Sequence, residues 1–126
     1  MEFSYSGKNT IMHEMSYIMR LAKMAIDTAT SNNAKSVESI SIQVGEMTGL
    51  IPEYLQRYYP KAVQGTILEG SKLDIEYLPV LVRCRNCSCE YHPDRSNEYL
   101  CPSCRSSGSD LLKGREFLIK NIVIND

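Results

Sequence analysis

Ser39-Ile40-Ser41-Ile42-Gln43-Val44-Gly45 is the stretch on which the fold turns. Ile40, Ile42 and Val44 alternate strictly with Ser39, Ser41 and Gln43, so a strand here buries one face and leaves the other in water. A half-buried strand needs partners on its edges and a cover on its apolar face, and both can be sought outward from it. Upstream, Met15, Ile18, Met19, Ala22, Ala25, Ile26 and Ala29 recur at spacings of three and four, one face of a helix. Arg20, Lys23 and Asp27 fall on the other face, and Thr30-Ser31-Asn32-Asn33 closes the helix with weak helix formers. Residues 1–11 are polar and without periodicity, and read as a flexible lead-in.

Downstream, Gly45 and Thr48-Gly49 mark a turn, and Pro52 suits the first turn of a second helix, where its missing N–H costs nothing. Leu55, Tyr58, Tyr59 and Ala62 form the stripe expected to be buried there. Pro60 is expected to kink or break that helix, because it removes the hydrogen bond to residue 56. The tyrosines at 54, 58 and 59 read as core and interface residues, with room for a homodimer. Leu73, Ile75 and Tyr77 alternate with Lys72, Asp74 and Glu76, a second strand. Phe117-Leu118-Ile119 and Ile122-Val123-Ile124 flank Lys120-Asn121, a third strand apolar on both faces, which is expected to pair back into the same sheet.

Between the second and third strands lie all five cysteines, from Cys84 to Cys104. Cys84-Arg-Asn-Cys87 and Cys101-Pro-Ser-Cys104 are separated by 13 residues, the pattern of a tetrathiolate site. Two intervening residues let both sulfurs of a pair reach one ion. Four thiolates close a tetrahedron and leave no open position, so such a site is structural zinc, with iron in the same sulfurs the alternative. In zinc-finger peptides this binding supplies about 10–16 kcal/mol and couples folding to metal. A segment this short and polar cannot hold a core without such a staple. Cys89 is the odd one out, read as a spare thiol, and His92 reads as a solvated loop residue.

Composition bounds the remainder. The chain has 126 residues, 43% hydrophobic and 23% charged, with 14 basic against 15 acidic side chains for a net charge of −1. That balance removes the simplest argument for a nucleic-acid coat. No apolar run approaches the roughly 18–20 residues that span a bilayer, so no membrane association and a cytoplasmic location are expected. The architecture implied is α+β: a small three-stranded sheet packed with two helices, plus an inserted zinc-ribbon-like domain. The divisions expected are residues 1–11 as extension, 12–80 with 111–126 as the α/β unit, and 81–110 as the zinc unit.

Met12-His13-Glu14 stands at the head of the first helix. With it come Gln43-Val44-Gly45-Glu46, Gly65-Thr66, Glu69-Gly70-Ser71-Lys72-Leu73, Ile75-Glu76, the two CxxC pairs and Gly114-Arg115-Glu116 before the last strand. In this order the motifs resemble the HypA/HybF family of nickel metallochaperones of hydrogenase maturation, over residues 12–126. The resemblance implies a nickel site built on His13, with backbone nitrogens of His13 and Glu14, the Glu14 carboxylate orienting the imidazole or adding an oxygen, and the terminal amine of Met12. Ni(II) favours such nitrogen-rich tetragonal sets, whereas soft thiolates favour zinc. The extension ahead of Met12 departs from the family, because it turns the Met12 nitrogen into an amide. The resemblance further implies Zn2+ as structural metal, Ni2+ as cargo, no enzymatic activity, and as partners a maturation GTPase and the large subunit of nickel–iron hydrogenase.

A zinc-ribbon adaptor binding nucleic acid or protein is the alternative. Residues 83–115 hold six basic and four acidic side chains, a local +2, with Tyr91 and Tyr99 as the aromatics. That is a thin phosphate-binding stripe. No Ser/His/Asp or Cys/His arrangement supports an enzyme, and Glu46, Glu53 and Asp74 read as solvated charges.

Overall fold

The computed structural model describes the backbone from Glu2 to Asp126 and the side chains from Glu14 onward. The elements run α1 (Glu2–Ser31), β1 (Ser36–Gly45), α2 (Pro52–Ala62), β2 (Lys72–Leu78), β3 (Leu81–Cys84), β4 (Glu90–Tyr91), β5 (Ser109–Lys113) and β6 (Phe117–Asn125). Short 3-10 turns lie at Glu46–Thr48 and Arg95–Asn97. Two three-stranded sheets result, ordered β2-β1-β6 and β4-β3-β5.

β1 is the centre of the first sheet, parallel to β2 and antiparallel to β6. The parallel neighbour is reached through α2, the helical crossover that parallel strands require. Ile40, Ile42 and Val44 are fully buried under the helices, as their alternation predicts. They meet Ile18, Leu21, Ala22, Ala25 and Ala29 of α1 and Leu55 and Tyr59 of α2 in one core. Fully burying a large aliphatic or aromatic side chain contributes about 1.5–3 kcal/mol, so this face holds the unit together. Tyr59 keeps its hydroxyl satisfied there, 2.6 Å from Ser71 Oγ.

β6 does pair back, and its apolar residues on both faces have a definite cause. The register passes from Ser41 opposite Asn121 to Ile42 opposite Ile119, which leaves Lys120 as a bulge. The bulge resets the alternation, so Phe117, Ile119, Ile122 and Ile124 all pack on the core. Leu118 and Val123 remain exposed on the outside.

The expected lead-in of residues 1–11 and the head of the helix at Met12 and His13 lie outside the residues whose side chains are described. Two expectations are corrected. Met19, expected in the buried stripe, is 53% exposed, while Leu21 takes a buried place. Pro60 does not end α2: it lies two residues from the end, where only one ladder bond is forfeited. β5 takes in Leu111–Lys113 and pairs them with β3.

The units join where β1 ends. A Cβ on Gly45 would sit 2.6 Å from Glu116 N and closer still to the Gly114 carbonyl, so only glycine permits this approach. Gly45→Ala is expected to lower stability by about 1–3 kcal/mol or more, as overpacking does. Gly108→Ala, whose Cβ would meet nothing nearer than Arg85 Cδ at 3.9 Å, is expected to change it by less than about 0.5 kcal/mol. Urea denaturation of both variants checks the contrast.

Candidate metal centres

The zinc unit repeats one local device. In the first knuckle, Ser88 N–H donates to Cys84 O at 2.9 Å and Cys84 N–H to Cys89 O at 2.8 Å. In the second, Arg105 N–H donates to Cys101 O at 2.8 Å and Cys101 N–H to Ser106 O at 3.0 Å. Ser88 and Arg105 therefore hold equivalent places, each four residues after the first cysteine of its pair, and both have φ of 65°. In the first knuckle the turn brings donors to sulfur. Asn86 supplies two such donors, its backbone to Cys84 Sγ and its side chain to Cys104 Sγ, each at 3.4 Å.

The result is a gathered cluster. Cys84 Sγ and Cys104 Sγ are 3.6 Å apart, Cys87 Sγ and Cys101 Sγ 3.5 Å, and all four sulfurs lie within 4.8 Å of one another. A tetrahedron with metal–sulfur bonds of about 2.3 Å has edges of about 3.8 Å, so the cluster fits a structural zinc site. Cys84 and Cys101 are buried among Val82 and Tyr91, which form the unit's small apolar core.

Proton competition at these sulfurs is uneven. The Asn86 amide and the Ser106 N–H bring the Cys104 thiol down to about 6. Cys87 feels a lowering hydrogen bond from the Cys89 backbone, yet the thiols of Cys101, Cys104 and Cys84, together with burial, push it up to about 12. Four adjacent thiols cannot all ionise without a cation among them, so metal entry must release protons. Cys89 stands outside the cluster, its thiol directed at Glu90 O at 3.7 Å. His92 is also outside it, and its ring binds Val80 O instead.

At the other end of the chain, Met12 and His13 have side chains outside the described residues, and the structure offers no test of them as ligands. Glu14, next in sequence, is fully buried. Its Oε2 accepts the Ile51 N–H at 2.9 Å, at the residue that precedes α2. Its Oε1 is buried and has no hydrogen-bond partner among the described residues. Buried carboxylate oxygens are rarely left so, and an unpartnered one marks a place where a donor or a cation is missing. The link from Glu14 to Ile51 spans 37 residues of sequence and carried no signal in either local pattern.

Comparison with known proteins decides the family. The family model for "Hydrogenase/urease nickel incorporation, metallochaperone, hypA" matches residues 12–124. The chain belongs to the HypA family. The hydrogenase maturation factor HypA of Francisella philomiragia is 33% identical over 114 residues, covering 90% of this chain and all of that protein. The HypA of Desulfitobacterium hafniense is 33% identical over 115 residues, with 91% and 100% coverage. The solution structure of the Ni metallochaperone HypA from Helicobacter pylori shares the fold, at 19% identity with a TM-score of 0.61, covering 89% of this chain and 97% of that one. A second HypA solution structure gives 21% identity and a TM-score of 0.67, covering 90% of this chain and 96% of that one. This is a family of nickel metallochaperones for hydrogenase maturation, not of catalysts, and its fold is the mixed α+β architecture described above. Among the described residues no helix is long and apolar enough to cross a membrane.

The left-handed knuckle positions give a direct test. A residue with a Cβ costs about 1–2 kcal/mol in that conformation, while glycine gives back up to about 1 kcal/mol of chain entropy on folding. Ser88→Gly and Arg105→Gly are therefore expected to hold zinc as well as or better than the original, and Ser88→Val worse. Chelator competition followed by a colorimetric zinc indicator checks the order.

Proposed function

We propose that this chain carries Ni(II) as cargo for the assembly of a nickel enzyme, and that its zinc is structural. Cys84, Cys87, Cys101 and Cys104 hold the zinc, and their closed thiolate shell leaves nothing for a labile ion to share. Nickel belongs at the head of the described part of α1, with the His13 imidazole as principal donor and backbone nitrogens of His13 and Glu14 beside it. Met12 adds its nitrogen when that nitrogen is a free amine.

The observation that carries this reading is the burial of Glu14. Its carboxylate is locked in the seam between α1 and α2 by Ile51, so it anchors the backbone immediately after His13. Its unpartnered Oε1 leaves one acceptor for the imidazole N–H or for the ion itself. A histidine on such an anchored turn can present one face to solvent, as reversible loading and release demand, while its neighbour stays fixed. The proposed partners are a maturation GTPase and, as recipient, the large subunit of nickel–iron hydrogenase, with urease the other destination that the family's description includes.

Nothing favours the adaptor reading. Arg83 pairs with Glu90, Arg85 with Asp110 and Arg105 with Glu98, so these guanidinium groups are already matched by carboxylates. A phosphate backbone would have to displace each of them.

His13→Ala is expected to abolish stoichiometric Ni(II) binding while leaving one zinc per chain, measured by elemental analysis after equilibrium dialysis. Retention of nickel in that variant would overturn the site. A chain begun at Met12 is expected to bind Ni(II) more tightly than the full chain in a competitive titration, and equal affinity for both would remove the terminal amine from the ligand set.

A further inference from the structure

The chain passes between the two sheets twice, at Pro79-Val80 and at 114–116, and both crossings press on the same three residues at the end of β1. Gly45 N–H donates to Glu116 O at 2.7 Å, and Met47 N–H to Gly114 O at 2.6 Å. The third residue, Glu46, reaches the other crossing: its Oε1 accepts the Val80 N–H at 2.8 Å. Val80 is packed so closely that a Cβ on Gly114 would lie 2.9 Å from its Cα. From the zinc unit, His92 Nδ1 meets the carbonyl of the same residue at 2.7 Å. Val80 is thus gripped on both of its polar backbone groups, by a carboxylate of one unit and an imidazole of the other.

The chemistry of that grip depends on a proton. A carbonyl only accepts, so Nδ1 must carry hydrogen for the contact to exist. Imidazolium always meets this condition. A neutral ring meets it only in the Nδ1–H tautomer, and the Nε2–H tautomer would set two acceptors against each other. Two carboxylates face the ring. Glu46 Oε1 is 3.9 Å from Nδ1, on the 3-10 turn that follows β1. Asp94 lies two residues along, its carboxyl held below the usual range chiefly by the Ser96 hydroxyl, with the charge of His92 a smaller cause. Protonating the ring secures the bond to Val80 and adds attraction to both. His92 and Glu46 remain 42% and 40% exposed, so protons reach the ring freely.

We propose that Glu46 and His92 form a protonation-sensitive clasp on Val80 that sets how firmly the zinc unit is held against the end of β1. With the ring charged, the clasp is closed and the two units move as one. With the ring neutral, it opens part of the time, and the zinc unit turns about the paired crossings. Both residues stand apart from the zinc sulfurs, so the device adjusts the position of the zinc unit without altering its metal.

The test uses the full, zinc-loaded chain and NMR residual dipolar couplings of backbone amides, which report the mean alignment of each unit separately. Wild type is compared with His92→Ala and Glu46→Gln at about pH 6 and about pH 8. In wild type the zinc unit is expected to share the alignment of the first sheet at the lower pH and to lose part of it at the higher. The closed-to-open ratio should change roughly two- to fivefold, the range of a surface ion pair. His92→Ala should show the looser alignment at both values, and Glu46→Gln should respond less than wild type. Any effect of pH on the zinc site itself is common to all three proteins and cancels in the comparison. Identical alignment of both units in all three proteins at both pH values would overturn the proposal, as would a full pH response surviving in His92→Ala.

Discussion

The pairing of β1 on both edges is the constraint from which the rest of the molecule follows. Its partners are far apart in sequence: β2 is reached through α2, and β6 only after the whole zinc unit has been built. For β6 to hydrogen-bond to β1, the chain that leaves the sheet at Pro79 must come back beside its point of departure. The inserted segment therefore enters and exits at one seam, and its own fold must be complete between two nearly coincident ends. Gly45 and Gly114 are the physical record of that demand, since neither position has room for a side chain.

A segment bound at both ends but too small for a substantial core needs another source of order. Among the described residues the zinc unit buries only Val82, Tyr91 and two cysteines, with Val80, Cys89, Cys104 and Leu111 packed against them. Four thiolates on one ion supply what burial cannot. The same closure makes the site unsuited to carrying a labile ion, so a chain that transports metal needs a second, open donor set. On the function proposed above, nitrogen donors around His13 would take Ni(II) and the four sulfurs Zn(II), ligand sets that differ in softness and in preferred geometry. Glu14, a buried carboxylate that accepts the Ile51 N–H, ties α1 to the start of α2.

Much of this was legible in the residues themselves. The alternation of Ile40, Ile42 and Val44 and of Leu73, Ile75 and Tyr77 gave two strands, and the cysteine spacing marked the four sulfurs that gather. The third strand was readable as a strand but not in register, because the bulge at Lys120 depends on which residues of β1 lie opposite. Met19 was misplaced for a related reason. Helical spacing defines a stripe, but the neighbours decide which edge of the stripe is covered, and here Leu21 lies on the covered side. The second sheet was hidden, since β3, β4 and β5 are too short for an apolar alternation to show. Glu46 and His92 looked like ordinary solvated groups; only the return of the chain brings both to Val80.

The claim at the centre of this account is that two metals occupy chemically distinct sites on one chain. X-ray absorption at the nickel edge, on zinc-loaded protein given one equivalent of Ni(II), tests it most directly. The account predicts a first shell of nitrogen and oxygen alone around nickel, with zinc still in four sulfurs. Sulfur scatterers in the nickel shell, accompanied by loss of zinc, would contradict it.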